Sequence, residues 1–139
     1  MSRIVIIDGN EVENRWLVDV LERPGHRVTA TQDAAWALEE AARGGVDLIL
    51  LSTGMPGLDS FGLLRRLKES PATTEIPVVM VNDSAAAGTV ALACGLGASD
   101  TVERPFDAYD VTFRVNRALE YADLKYRCWA PALFRAIPA

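Results

Sequence analysis

Short runs of consecutive apolar residues alternate along this 139-residue chain with longer stretches whose apolar positions recur every three or four residues. A continuous apolar run between turn residues reads as a strand buried on both faces, and the longer stretches read as amphipathic helices. Residues 4–7 form the first such run. Asp8-Gly9-Asn10 follows, and Asn10 with Glu13 has the spacing of a helix N-cap and its N3 partner. The predicted helix carries Val12, Trp16, Leu17, Val20 and Leu21 on its apolar side, which makes Trp16 a core residue, and Arg23-Pro24-Gly25 breaks it. Residues 27–31 are a weaker second strand. A second helix opens at Asp33, presents Ala34, Leu38 and Ala41 on one face with Trp36 off it, and stops at Gly44-Gly45. Residues 48–51, apolar throughout, suit a central strand.

The loop over residues 52–59 leads into a third helix with Phe61, Leu63, Leu64 and Leu67, ending before Pro71. Residues 78–81 are the fourth strand, and Asn82-Asp83-Ser84 can cap a helix over roughly residues 85–94. A short fifth strand at residues 100–103 precedes Arg104-Pro105-Phe106. Asp107 can cap a last helix whose stripe, Val111, Val115, Ala118 and Ala122, runs on towards Trp129, with Pro131 as the expected stop. Five strand-helix repeats of this kind predict one α/β domain built on a parallel sheet.

Charge narrows the function. Fourteen Lys and Arg stand against nineteen Asp and Glu, a net charge of −5, so there is no overall basic field for nucleic acid. The imbalance is uneven: residues 114–139 hold five basic and two acidic residues. Cys94 and Cys128 lie far apart with no Cys-x-x-Cys or Cys/His cluster, which argues against a zinc site or a disulfide framework. Only four apolar residues precede the first acid, too few for a signal-peptide core, and no apolar stretch approaches membrane-spanning length. A cytoplasmic chain is expected.

In an open parallel sheet the functional crevice lies outside the carboxyl ends of the strands, which selects Asp8, Gly9, Ser52, Asn82 and Arg104. Ser52 as a nucleophile would need an adjacent base, yet His26, the only histidine, precedes the second strand and so belongs to the opposite edge of the sheet. Gly95-Leu96-Gly97 precedes a strand rather than a helix and is no nucleotide loop.

The wording around these positions resembles the receiver domain of bacterial response regulators over roughly residues 2–120: Ile4-Val5-Ile6-Ile7-Asp8, Asp47-Leu48-Ile49-Leu50-Leu51, Met55-Pro56-Gly57-Leu58-Asp59, Ile76-Pro77-Val78, Gly97-Ala98-Ser99-Asp100 and Arg104-Pro105-Phe106. The resemblance implies a flavodoxin-like (βα)5 fold with a five-stranded parallel sheet in the order 2-1-3-4-5, and a cis Arg104-Pro105 peptide. It also implies that the phosphoryl-transfer machinery has degenerated. The family's acidic pair reads Asp8-Gly9, its phosphoacceptor aspartate falls on Ser52, its hydroxyl residue on Asn82, its aromatic switch on Thr101 and its lysine on Arg104. Magnesium usually takes one or two carboxylates plus phosphate oxygens, and only Asp8 remains as a candidate ligand, so no cofactor is expected. Arg104, with a planar fork that lysine lacks, is expected to pair with Asp8 or Asp59.

The expected organisation is a receiver-like domain over residues 1–120 and a helix-five extension with an apolar tail over residues 121–139. Tyr121, Leu124 and Cys128 form a second ridge on that extension at i, i+3 and i+7, and with Trp129 they are the candidate interface of an isologous homodimer. The expected role is signalling by contact with a protein partner or an attached output domain, through the face of the fourth helix, fifth strand and fifth helix that such domains commonly use. Neither enzymatic activity nor a nucleic-acid or membrane partner is expected. The rival readings are a response regulator phosphorylated at another residue and a small hydrolase using Ser52.

Overall fold

The computed structural model describes residues 2–55, 57–83 and 87–136, with side chains left out at 87 and 126–136. Five strands, β1 (Arg3–Ile7), β2 (Arg27–Thr31), β3 (Leu48–Ser52), β4 (Val78–Asp83) and β5 (Asp100–Arg104), form one parallel sheet in the order β2-β1-β3-β4-β5. Five helices alternate with them: α1 (Glu11–Glu22), α2 (Ala34–Ala42), α3 (Ser60–Glu69), α4 (Ala87–Gly95) and α5 (Ala108–Ala136). This is the flavodoxin-like (βα)5 architecture.

Strand side chains alternate between two separate cores, as the pleat requires. Ile4, Ile6, Leu48, Leu50, Val79, Val81 and Val102 meet Leu17, Val20 and Leu21 of α1 and Val111, Val115 and Ala118 of α5. Val5, Ile7, Ile49, Leu51, Val78 and Met80 meet α2, α3 and α4 on the other face. Four helices begin with side-chain caps: Asn10, Asp33, Asp59 and Asp107 accept from the amides of Glu13, Trp36, Gly62 and Asp110. Gly97, at φ +103°, closes the α4–β5 turn where a Cβ would stand 3.0 Å from Lys68 Cγ, so both its backbone shape and the lack of a side chain are needed.

Three expectations are corrected. Trp16 is not core: it is 37% exposed and lies against Phe106, ring centres 5.7 Å apart. Val12 is 78% exposed, because the inward stripe of α1 runs through Asn14, Leu17, Val20 and Leu21 and leaves positions 12 and 16 on its flank. Pro131 does not end α5, which continues to Ala136; a proline removes one ladder donor, and the turns on either side keep theirs. On α2 the buried positions are Ala37 and Ala41, with Trp36 half-buried at the edge of the core.

Leu50→Ala is expected to cost about 3 kcal/mol, since the side chain is fully buried in a central strand, whereas Val12→Ala is expected to cost less than about 0.5 kcal/mol. Urea unfolding of both variants checks the contrast.

Candidate functional site

Because the strands are parallel, all their carboxyl ends reach one edge, and the pleat decides which side chains meet there. Ile4 and Ile6 share a core with Leu48, Leu50, Val79, Val81 and Val102, so the next positions of the same parity, Asp8, Ser52, Asp83 and Arg104, stand together on the α1/α5 side. Asp83 and Arg104 are register partners across β4 and β5. A cavity of about 530 Å³ opens over them, lined also by Gly9, Asn10, Glu13, Thr53, Gly54 and Met55.

Arg104 organises the cavity. Its Nε donates to Glu13 Oε2 at 2.9 Å and its Nη2 to Glu13 Oε1 at 2.8 Å, a bidentate fork from β5 to α1. Nη1 donates to Asp83 Oδ1 at 3.0 Å and Nη2 also to Ser52 Oγ at 2.6 Å. Asp8 Oδ2 lies 3.7 Å from Nη2. Of the expected partners, Asp8 does pair with Arg104, at 3.7 Å the longest of its ion pairs, while Asp59 is occupied as the N-cap of α3. Glu13, expected to complete a capping box, reaches across to Arg104 instead.

Ser52 is buried, and its hydroxyl donates to the Thr53 carbonyl while accepting from Arg104. Its proton and a lone pair are therefore engaged. His26 sits away from the cavity, with Nδ1 accepting from the Ser2 amide and Nε2 paired with Asn116 Oδ1 at 3.0 Å. Asn82 and Thr101 do not line the cavity. Asn82 has the parity of Val78 and Met80, hence the α2/α3/α4 side, where it is buried and its amide finds no hydrogen-bond partner among the described residues. Asp83 takes the place in the cavity that was expected of Asn82.

Electrostatics follow from this crowding. The Asp8 carboxyl is pushed up to about 6, first by burial and then by the Glu13 carboxylate beside it, with the Asn10 amide and Arg104 pulling the other way. Glu13 is held below its ordinary range chiefly by its fork with Arg104, and Arg104 is raised by the same contact.

These donors do not fit a divalent cation. Both Glu13 oxygens and one of Asp83 are spent on Arg104, Asp8 Oδ1 accepts from Asn10, and Ser52 contributes only a neutral oxygen already bonded twice. Gly9 offers no ligand, and a Cβ there would lie 3.6 Å from Met55 Cγ. Among the described residues no group of three or more His, Cys, Asp or Glu is placed to hold a metal ion.

A five-stranded parallel sheet in this order, with charged side chains gathered at its carboxyl edge, defines a flavodoxin-like α/β domain. Residues 4–116 match the model of the response regulator receiver domain, and the chain belongs to that family. It is 37% identical over 106 residues to the response regulator PleD of Caulobacter vibrioides, covering 76% of this chain and 23% of PleD. Protein PilH of Pseudomonas aeruginosa is 29% identical over 119 residues, 86% of this chain and 98% of PilH. A crystal structure of NtrX from Brucella abortus superposes with a TM-score of 0.84 at 29% identity, over 92% of this chain and 29% of NtrX. The chain thus spans a minor part of PleD and NtrX and nearly all of PilH. The Arg104-Pro105 peptide is cis, as expected.

Glu13 and Asp83 are the residues that sequence reasoning missed. Strand alternation would have found Asp83, two positions beyond Val81 and level with Arg104. Glu13 had a second, local role available, and nothing in the sequence chose between them.

Asp8→Asn is expected to stabilise the protein at neutral pH. The Asp8 pKa is raised on folding from 3.8 to about 6, so its ionisation opposes folding increasingly as pH rises through that window and fully above it. The gain for the neutral variant should be on the order of 2 kcal/mol above pH 6 and vanish below pH 4. Glu13, shifted the other way, contributes stability above its ordinary pKa in both proteins. Denaturant midpoints measured from pH 4 to 8 check the crossover.

Proposed function

We propose that this receiver domain signals by protein contact without aspartyl phosphorylation and without enzymatic activity of its own. The observation that carries the reading is Ser52, which stands at the acceptor position with its hydroxyl fixed between the Thr53 carbonyl and Arg104. A serine becomes a good nucleophile when a base takes its proton. Here the nearest charged neighbour is a guanidinium, which cannot act as one, and His26 is bound to Asn116 elsewhere.

The contact surface favoured is that of α4, β5 and α5, with a cytoplasmic setting. α4 carries no charged residue and exposes Leu92. On α5, Tyr109 is 77% exposed and stacks on Phe113 at 6.1 Å, and Arg117 lies 5.3 Å from the Phe113 ring centre. Tyr121 and Leu124 continue this exposed side at 68% and 52%; Cys128 and Trp129 lie outside the residues whose side chains are described. Apolar groups spaced along one helix face suit association with a second copy, a partner protein or an attached output domain. Residues 121–139 would then act as an extension of the domain formed by residues 1–120. With a net charge of −5, and with no described helix long and apolar enough to cross a membrane, nucleic-acid and membrane partners are disfavoured.

The second reading, phosphorylation at another residue, has one observation in its favour: Asp83 lines the cavity and its side chain is well exposed. The chain is therefore incubated with magnesium and a small phosphodonor and its intact mass measured. No gain is expected. A gain located at Ser52 overturns the reading, and one located at Asp83 establishes the alternative. For the contact surface, light scattering should show concentration-dependent dimers that Tyr121→Asp with Leu124→Asp abolishes; unchanged dimers would place the interface elsewhere.

A further inference from the structure

We infer that Arg104 is the resident cation of the receiver pocket, seated by Glu13, and that it excludes a divalent metal ion from the acids there. The inference rests on the reading of this pocket as one that takes no phosphoryl group, and it adds what holds the pocket in its place.

Three acids converge on this edge, the buried Asp8, the half-buried Glu13 and the exposed Asp83, and the first two, so close together and shielded from water, repel unless a cation lies among them. Arg104 meets that need in a way a simple charge cannot. Its guanidinium is only 22% exposed and reaches four side chains on four elements or their loops: Glu13 on α1, Ser52 on β3, Asp83 on β4, and Asp8 beyond β1. Glu13 orients it, because taking both Nε and Nη2 fixes the plane of the fork and leaves Nη1 aimed at Asp83. A divalent ion would have to share these oxygens with a fixed positive charge at hydrogen-bond distance. The coordination sphere left to it is one oxygen each of Asp8 and Asp83, with the Asp8 oxygen already facing Nη2 at 3.7 Å.

The pocket's charge balance is then a property of the folded chain, unlike a balance that follows the supply of free cations. The Trp16–Phe106 contact joins the same two segments, one turn along α1 from Glu13 and two residues after Arg104, so the fork and the ring pair brace α1 against the start of α5 together.

Two measurements test this. In the wild-type chain, substoichiometric Mn²⁺ should leave the amide signals of Asp8, Gly9, Ser52 and Thr53 unbroadened; selective broadening of these amides overturns the inference. In Arg104→Gln the acids lose their cation, so melting should become dependent on magnesium, with Tm rising by roughly 5 °C on saturation beyond what sodium chloride of equal ionic strength produces, while the wild-type Tm stays put. A variant as indifferent to magnesium as the wild type overturns it. If the variant does not fold, the Mn²⁺ result on the wild type decides alone. Broadening of pocket amides in a chain that takes no phosphoryl group would sink this inference and leave the functional reading standing. Phosphoryl transfer to a chain without such broadening would do the reverse.

Discussion

The fork between Arg104 and Glu13 answers a problem that the sheet itself creates. Parallel strands deliver all their carboxyl ends to one edge, and the pleat sorts Asp8, just past β1, and the final residues of β3, β4 and β5 onto one side of it. An acid buried there bears the desolvation that raises Asp8. One planar cation with several donors relieves the whole group, and because it springs from β5 and lands on α1 it also ties the last strand to the first helix.

Much of the architecture was legible because it depends on patterns that local residues enforce. Continuous apolar runs marked the central strands, β3 in particular, and Asn10, Asp33 and Asp107 marked three helix starts. Strand order came from the family resemblance, since adjacency between distant segments leaves no periodic trace. The pocket was legible only in part. Asp8, Ser52 and Arg104 could be placed at strand ends, but which side of the sheet each faces depends on counting from the core outwards, and that count separates Asn82 from Asp83. The choice of Glu13 over Asp59 as the partner of Arg104 depends on the approach of α1 to β5, a tertiary distance. Trp16 misled for a related reason: it keeps helical spacing with Leu17 and Val20, yet the helix rolls so that Asn14 faces the strands and the indole rests on Phe106 at the rim.

β5 is held at both ends by charge. Where it begins, Asp100 accepts from Arg114 and Arg117 of α5; where it ends, Arg104 binds Glu13 of α1. An edge strand with one flank unpaired is the least constrained of a sheet, and these ion pairs supply lateral support that a neighbouring strand would otherwise give. The exposed rings of Tyr109 and Phe113 stand on the helix so anchored, which gives them a firm backing for contact.

The 29 residues of α5 make a rod of about 43 Å, whereas a five-residue strand of the sheet it leans on covers about 17 Å. The ion pairs of α5 with the domain run as far as Lys125, which lies 3.5 Å from Glu75, and the helix goes on for eleven more residues, about 16 Å. Pivoting that end segment by about 10° would sweep its tip through roughly 3 Å while leaving the packing of Val111 and Val115 unchanged. Geometry alone makes the end of the helix a pointer, magnifying at its tip whatever small rotation arises beside Lys125.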